Sequence, residues 1–144
     1  MIKKTSSDDY EVLTKLEQEC FPTEAWTFDQ IKSHHQLQNS LLYFREDKSL
    51  EPIGYLIYLE NSYEIEILRI GVVADFRRNG IANQLLDFLE SLRKKREILL
   101  EVKSENFAAI GLYQKKGFIN FAVRKRYYPD GKDAILMKKE SIND

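Results

Sequence analysis

The stretch from Glu64 to Val73 constrains this chain more than any other. Alternation puts Glu66, Leu68, Ile70 and Val72 on one face of an extended segment and Ile65, Ile67, Arg69 and Gly71 on the other. Both faces turn apolar towards the end, and a strand with two apolar faces belongs in the middle of a sheet. A loop, Asp75-Phe76-Arg77-Arg78-Asn79-Gly80, leads to Ile81, Leu85, Phe88, Leu89 and Leu92, spaced as one apolar stripe of a helix. The stripe ends at Arg93-Lys94-Lys95-Arg96, cations that suit the negative end of the helix dipole. Ile98 to Val102 reads as a short buried strand, so the centre of the fold is a strand-helix-strand crossover.

The remaining elements are built around that centre. Asp8 or Asp9 caps a first helix carrying Val12, Leu13, Leu16 and Cys20, which Phe21-Pro22 interrupts. Thr27, with Gln30 three positions on, resembles a capping box opening a second short helix that ends near His35. Leu41 to Phe44 and Ile53 to Leu59 read as antiparallel strands about the polar turn Glu46-Asp47-Lys48-Ser49. Asn106 caps a helix through Lys116, and Gly117 is a left-handed stop. Phe118 to Tyr127 and Ala134 to Met137 form a hairpin around Pro129-Asp130-Gly131-Lys132. The result is a mixed sheet with helices packed against it. At 144 residues, of which 43% are apolar, one domain spanning 1–144 can bury a sizeable core and two cannot.

Several functions are disfavoured. The 22 Lys and Arg nearly balance the 23 Asp and Glu, so no global field favours nucleic acid or an anionic membrane, and no direct nucleic-acid binding is expected. The first residues lack the apolar core of a signal peptide, and no apolar run approaches the roughly 20 residues of a membrane span. A cytoplasmic protein is therefore expected. Cys20, the single cysteine, is read as a small buried hydrophobe. His34 and His35 are adjacent and face different ways on a helix, so they do not make a metal pair, and no metal is expected.

Two places suit chemistry. At the first, the central strand passes through the Arg77–Gly80 loop into a helix, where Gly80 and small Ala82 let backbone N–H groups approach a ligand. Those orphan donors and the positive dipole end suit a phosphate or pyrophosphate. The simpler alternative is a solvated turn with a helix-starting glycine, and neither of the better-known phosphate-loop spacings is present. At the second, Glu101 interrupts an apolar strand, where a carboxylate must be solvated, paired or functional; it is a candidate general base. Tyr113, about two helical turns beyond Asn106, is a candidate general acid, or a packed ring with a wet hydroxyl.

The segment Arg77-Arg78-Asn79-Gly80-Ile81-Ala82 resembles the Arg/Gln-x-x-Gly-x-Gly/Ala motif of the GNAT acetyltransferases. The resemblance implies a central, mostly antiparallel sheet of six to seven strands flanked by about four helices, an α+β fold. It also implies acetyl-CoA as cosubstrate: amides of Arg78, Asn79, Gly80, Ile81, Ala82 and Asn83 hold its pyrophosphate, and Ile70-Gly71-Val72 pairs with its pantetheine arm. Leu99 to Val102, Asn106 to Tyr113 and Gly117-Phe118 resemble the RimI-type ribosomal-protein-alanine N-acetyltransferases, as do Phe21-Pro22 with Trp26-Thr27 and the stretch Arg124 to Met137. This subgroup implies Glu101 as proton acceptor, Tyr113 as proton donor, Asn106 as a coenzyme contact and a protein N-terminus, that of a ribosomal protein, as acceptor. It also suggests that Tyr127 and Tyr128 shape the acceptor pocket rather than pack within a strand. Two departures bear on the acceptor: three residues separate Pro22 from Trp26, and Arg69 stands where a small or polar residue is frequent. Acetylation of a lysine or small-molecule amine, and silent acyl-CoA binding, are the rival readings, since a fold does not fix its acceptor.

Gly80→Glu is expected to abolish acetyl-CoA binding, because it adds a side chain and a negative charge where amides must meet pyrophosphate. Titration calorimetry checks this, and unchanged affinity would remove the loop assignment.

Overall fold

The structure is a computed structural model that describes residues 2–34, 39–44 and 51–141, with the backbone alone for 34 and 39–44. In chain order the elements are β1 (Ile2–Lys4), α1 (Tyr10–Cys20), α2 (Phe28–His34), β2 (Asn39–Phe44), β3 (Pro52–Glu60), β4 (Glu64–Val72), α3 (Ile81–Leu92), β5 (Glu97–Lys103), α4 (Phe107–Lys115), β6 (Ile119–Arg124) and β7 (Ala134–Lys139). Short 3-10 turns occupy Ser7–Asp9 and Ala74–Phe76. The strand order is β1-β2-β3-β4-β5-β7-β6. β4 and β5 run parallel, while β1-β2, β2-β3, β5-β7 and β6-β7 are antiparallel. This is the mixed, mostly antiparallel α+β architecture expected from the sequence. β1 was not legible there: three residues are too few for alternation to register, and it exists through its pairing with β2 from Ile2↔Tyr43 to Lys4↔Leu41. The expected helix end at His35 and the polar turn Glu46–Ser49 lie outside the described residues.

The chain forms two compact units, Met1–Leu59 with Arg69–Leu92, and Glu60–Leu68 with Arg93–Asp144. In the first, β3 is the innermost strand, buried continuously from Pro52 to Tyr58. Gly54 lets α3 come close on one face of it: a Cβ there would lie 2.9 Å from Ile81 Cγ2 and 3.6 Å from Leu85 Cδ1. Gly71 admits α1 on the other face, where a Cβ would lie 2.7 Å from the Tyr55 ring and 3.0 Å from Cys20 Sγ. The second helix opens as the sequence predicts, Thr27 N–H donating to Gln30 Oε1 (2.8 Å) and Gln30 N–H to Thr27 Oγ1 (3.1 Å). Asp9 precedes α1, yet its carboxylate turns back to accept from Ser6 N–H (2.7 Å) instead of capping α1 with its side chain.

In the second unit, β4 pairs with β5 from Glu64↔Glu97 to Ile67↔Leu100. β5, expected as a short buried strand, is buried on one face only: Ile98, Leu100 and Val102 are buried while Glu97, Leu99, Glu101 and Lys103 are partly exposed. The charged residues of that face need water or partners, which decides the difference. Arg93 is not a solvated helix-end cation: it is buried and donates to the Glu140 carbonyl. Arg96 covers the Arg93 carbonyl (2.9 Å) and reaches Asn61 O (3.1 Å). β6 ends at Arg124, short of the expected Tyr127, and Arg126 adopts φ 52, which turns the chain out of the strand. No helix among the described residues is long and apolar enough to cross a membrane.

Gly54→Ala is expected to lower unfolding free energy by about 1–3 kcal/mol, because the Ile81 methyl stands close to its own backbone and has little room to withdraw. Urea denaturation followed by circular dichroism measures it.

Candidate active site

The loop between β4 and α3 is held from below by main-chain bonds. Val73 N–H donates to Ile53 O (2.9 Å), and Arg77 Nε returns to Val72 O (3.0 Å), closing the segment on itself. Arg78 (φ 67) and Gly80 (φ 78) both take the left-handed conformation, and Asn79 Nδ2 donates to Phe76 O (3.2 Å). Gln84 N–H to Gly80 O (3.0 Å) is the first turn of α3, so the amides before it have no helical carbonyl to bond. A Cβ on Gly80 would meet nothing within 4 Å. The glycine is therefore required by its backbone angle, and the space above it is open. Ile70 and Gly71 near the end of β4, and Val73 just after it, are only partly buried, while Val72 between them is buried.

The second unit carries both titratable candidates, Glu101 and Tyr113. Glu101 lies on the partly exposed face of β5, its side chain 26% accessible, with Arg124 Nε 3.1 Å from its carboxylate. Glu66 pairs in register with Leu99, which puts it on the same sheet face as Glu101, one pleat away. Burial, then the negative charges of Glu101 and Glu64, push the Glu66 carboxyl up, with Arg124 opposing. Glu66 escaped the sequence reading because one carboxylate at the start of a strand looks like a solvated edge. The signal was available in pairing Glu66 with Glu101 across parallel strands.

Tyr113 is buried on α4, its ring edge-on to Phe118 with centroids 5.7 Å apart. Burial pushes its phenol up to about 12, so it holds its proton throughout the neutral range. Asn106 caps α4 as predicted, its Oδ1 accepting from Ala109 N–H (3.2 Å). Tyr127 and Tyr128 stack edge-on in the turn after β6 (5.2 Å), with Arg124 over Tyr127 (5.5 Å) and Lys103 over Tyr128 (5.0 Å). They are turn residues, not strand packing. Among the described residues no group of three or more His, Cys, Asp or Glu is placed to hold a metal ion.

The first unit holds a further cluster that the sequence reading missed. Glu17 is fully buried on α1 and accepts from Tyr55 Oη (2.6 Å), Arg69 Nε (3.0 Å) and Trp26 N–H (2.8 Å). Arg69 Nη2 donates to Glu24 O (2.5 Å), and its guanidinium lies 4.2 Å from the centre of the Phe21 ring. Two pattern breaks of opposite charge announced it: a glutamate beside the Leu13-Leu16-Cys20 stripe and an arginine within an apolar strand.

A strand that opens through a left-handed glycine onto the start of a helix leaves orphan amides suited to a phosphate or pyrophosphate. Residues 10–118 match the acetyltransferase (GNAT) family, and the chain belongs to that family. It is 42% identical over 77 residues to an N-alpha-acetyltransferase of Saccharolobus solfataricus, covering 51% of this chain and 46% of that protein. It is 40% identical over 80 residues to the [ribosomal protein bS18]-alanine N-acetyltransferase of Escherichia coli, covering 51% and 54% respectively. These matches span about half the length of the curated relatives. The crystal structure of the Escherichia coli ribosomal-protein-S18-alanine N-acetyltransferase superposes with a TM-score of 0.85 at 26% identity, covering 100% of this chain and 96% of that one.

Glu66→Gln is expected to stabilise the protein in a pH-dependent way. The native carboxyl holds its proton to higher pH than the unfolded one, so its contribution falls as pH rises above the ordinary value of 4.5. The difference in melting temperature between variant and wild type is therefore smallest near pH 4 and grows towards pH 7. Thermal melts across that range check the sign.

Proposed function

We propose that residues 1–144 act as one acetyltransferase domain that moves the acetyl group of acetyl-CoA to the α-amine of a protein N-terminus, with the N-terminal alanine of a ribosomal protein as acceptor. The observation that supports this reading is the contrast, within the second unit, between a partly exposed strand carboxylate, Glu101, and a buried neutral phenol, Tyr113. Family membership supports the acetyl donor, and the two partial-length relatives named above support the acceptor class. The loop and first-turn amides from Arg78 to Asn83 take the pyrophosphate, and Ile70-Gly71-Val72 takes the pantetheine arm. Asn106 spends Oδ1 on the helix cap, which leaves its Nδ2 as the group for a coenzyme contact.

In this reading the free amine attacks the thioester carbonyl directly within a ternary complex. Glu101 removes the ammonium proton, either itself or through a water, while Arg124 fixes the orientation of its carboxylate. As the carbon-sulfur bond breaks, Tyr113 gives its proton to the departing sulfur. Burial disfavours a tyrosinate, so the proton shed by the new amide nitrogen returns to the phenol and the two transfers balance. An α-amine has a pKa of about 7.7–8.0 against about 10.4 for lysine, so a carboxylate base is far better matched to an N-terminus.

Glu101→Gln is expected to lower kcat by about 10²–10⁴ at neutral pH, the usual contribution of a positioned general base. The deficit shrinks above about pH 8 on an alanine-starting peptide, where the free amine already dominates. Thiol-release assays across pH measure both effects. A flat deficit would reassign Glu101 to positioning, efficient acetylation of an N-terminally blocked lysine peptide would replace the N-terminal reading, and coenzyme binding without turnover on any amine would leave a silent acyl-CoA-binding domain.

A further inference from the structure

The segment between α1 and α2, residues 21–27, has little secondary structure of its own, yet three separate points on it are tied down. Its Trp26 N–H is bound by the buried Glu17 carboxylate (2.8 Å), its Glu24 carbonyl by Arg69 Nη2 (2.5 Å), and its Phe21 ring lies under the Arg69 guanidinium (4.2 Å). Arg69 contributes to two of the three points directly. It contributes to the third through Glu17, which it holds by Nε at 3.0 Å and 3.4 Å from the two carboxylate oxygens. Tyr55 Oη closes the same carboxylate from β3 (2.6 Å). A planar fork is required: one edge faces the carboxylate, the far nitrogen reaches the loop, and the flat face covers a ring. Pro22 and Thr23 at the loop's tip remain exposed.

Arg69 also has a special place along β4. In the coenzyme placement proposed above, the arm runs from the start of α3 back along Val72, Gly71 and Ile70, which puts its reacting end beside the next residue upstream. That residue is Arg69. We propose that Arg69 is a positioning residue for the acceptor: it locks the Phe21–Trp26 loop beside the thioester, so that recognition of the incoming amine, and not binding of the coenzyme, depends on it. This rests on the acetyl-transfer reading above. Arg69 touches neither reacting group, and its effect passes through the loop.

Arg69→Lys keeps a cation against Glu17 but cannot also reach the Glu24 carbonyl and cover Phe21. Phe21→Leu removes the ring beneath the guanidinium and leaves the ion pair intact, which covers the case in which the lysine variant fails to fold. For both, acetyl-CoA affinity by calorimetry and the kinetics of thiol release with alanine-starting peptides are measured. The expected result is a coenzyme Kd close to that of wild type, with KM for the peptide raised about tenfold in Arg69→Lys, less in Phe21→Leu, and kcat at saturating peptide little changed. Discrimination between alanine and bulkier first residues narrows in the same order. Wild-type turnover with unchanged peptide KM in both variants, or coenzyme Kd rising in step with peptide KM, would overturn this inference alone. Absence of thiol release by the wild type with every peptide would overturn the acetyl-transfer reading and this inference with it.

Discussion

The Glu17 carboxylate has no exposure to solvent, and the first unit is arranged around satisfying it. Removing a carboxylate from water costs several kcal/mol even after relaxation, so such a group persists only where donors converge on it. Here they come from three directions: the Tyr55 hydroxyl from β3, the Arg69 guanidinium from β4, and the Trp26 amide from the loop that follows α1. Each of these contacts fixes a relation that apolar packing alone leaves loose. A slip of one residue in β4 would turn Arg69 to the opposite face and leave Glu17 buried without its counter-charge, a loss of about 3–5 kcal/mol. The same field acts back on its donors: burial together with Glu17 holds the Tyr55 phenol far above its usual range, so it remains a hydrogen-bond donor at any working pH.

That polar centre works together with two glycines. Gly71, directly after Ile70 on β4, gives up its side chain so that Cys20 and Tyr55 can close over the strand next to the ion pair. Gly54 does the same for Ile81 and Leu85 on the other side of β3. Ile81 is the first residue of α3, so its seat against Gly54 fixes where that helix begins, and with it the position of the amides that face a ligand. Packing in the core thus sets the geometry of the proposed coenzyme loop, although no side chain of that core needs to touch the coenzyme.

In the second unit the candidate base sits where burial is incomplete. Glu101 and Glu66 share the partly exposed face of the β4-β5 pair, and Arg124 from the edge strand offsets part of their mutual repulsion. Tyr113 occupies the opposite regime, enclosed with Phe118 and kept neutral. Surroundings this different suit the separate acid and base roles proposed for Tyr113 and Glu101. β6 at the sheet edge supplies Arg124 and also leaves Ile119, Phe121 and Val123 half-exposed.

Local patterning determined much of this protein without tertiary help. Period-two alternation marked β4, short apolar runs marked β3 and β5, period 3.6 marked α3, and the caps at Thr27 and Asn106 with the left-handed Gly117 were legible because each depends on neighbours within a few residues. The Arg77–Ala82 motif and the Glu101 and Tyr113 candidates belong to the same class: a special residue type at a fixed offset from a recognisable element. What the sequence alone did not decide depends on contacts between residues far apart in the chain. β1 exists only because β2 offers it an edge, β6 stops at Arg124 because Arg126 turns, and Glu66 has a raised carboxyl because a parallel strand carries Glu101 beside it. The Glu17-Arg69 pair spans 52 positions, and no local window contains both partners. Each charge reads alone as a defect in an apolar pattern, and only the folded chain makes the two defects one interaction.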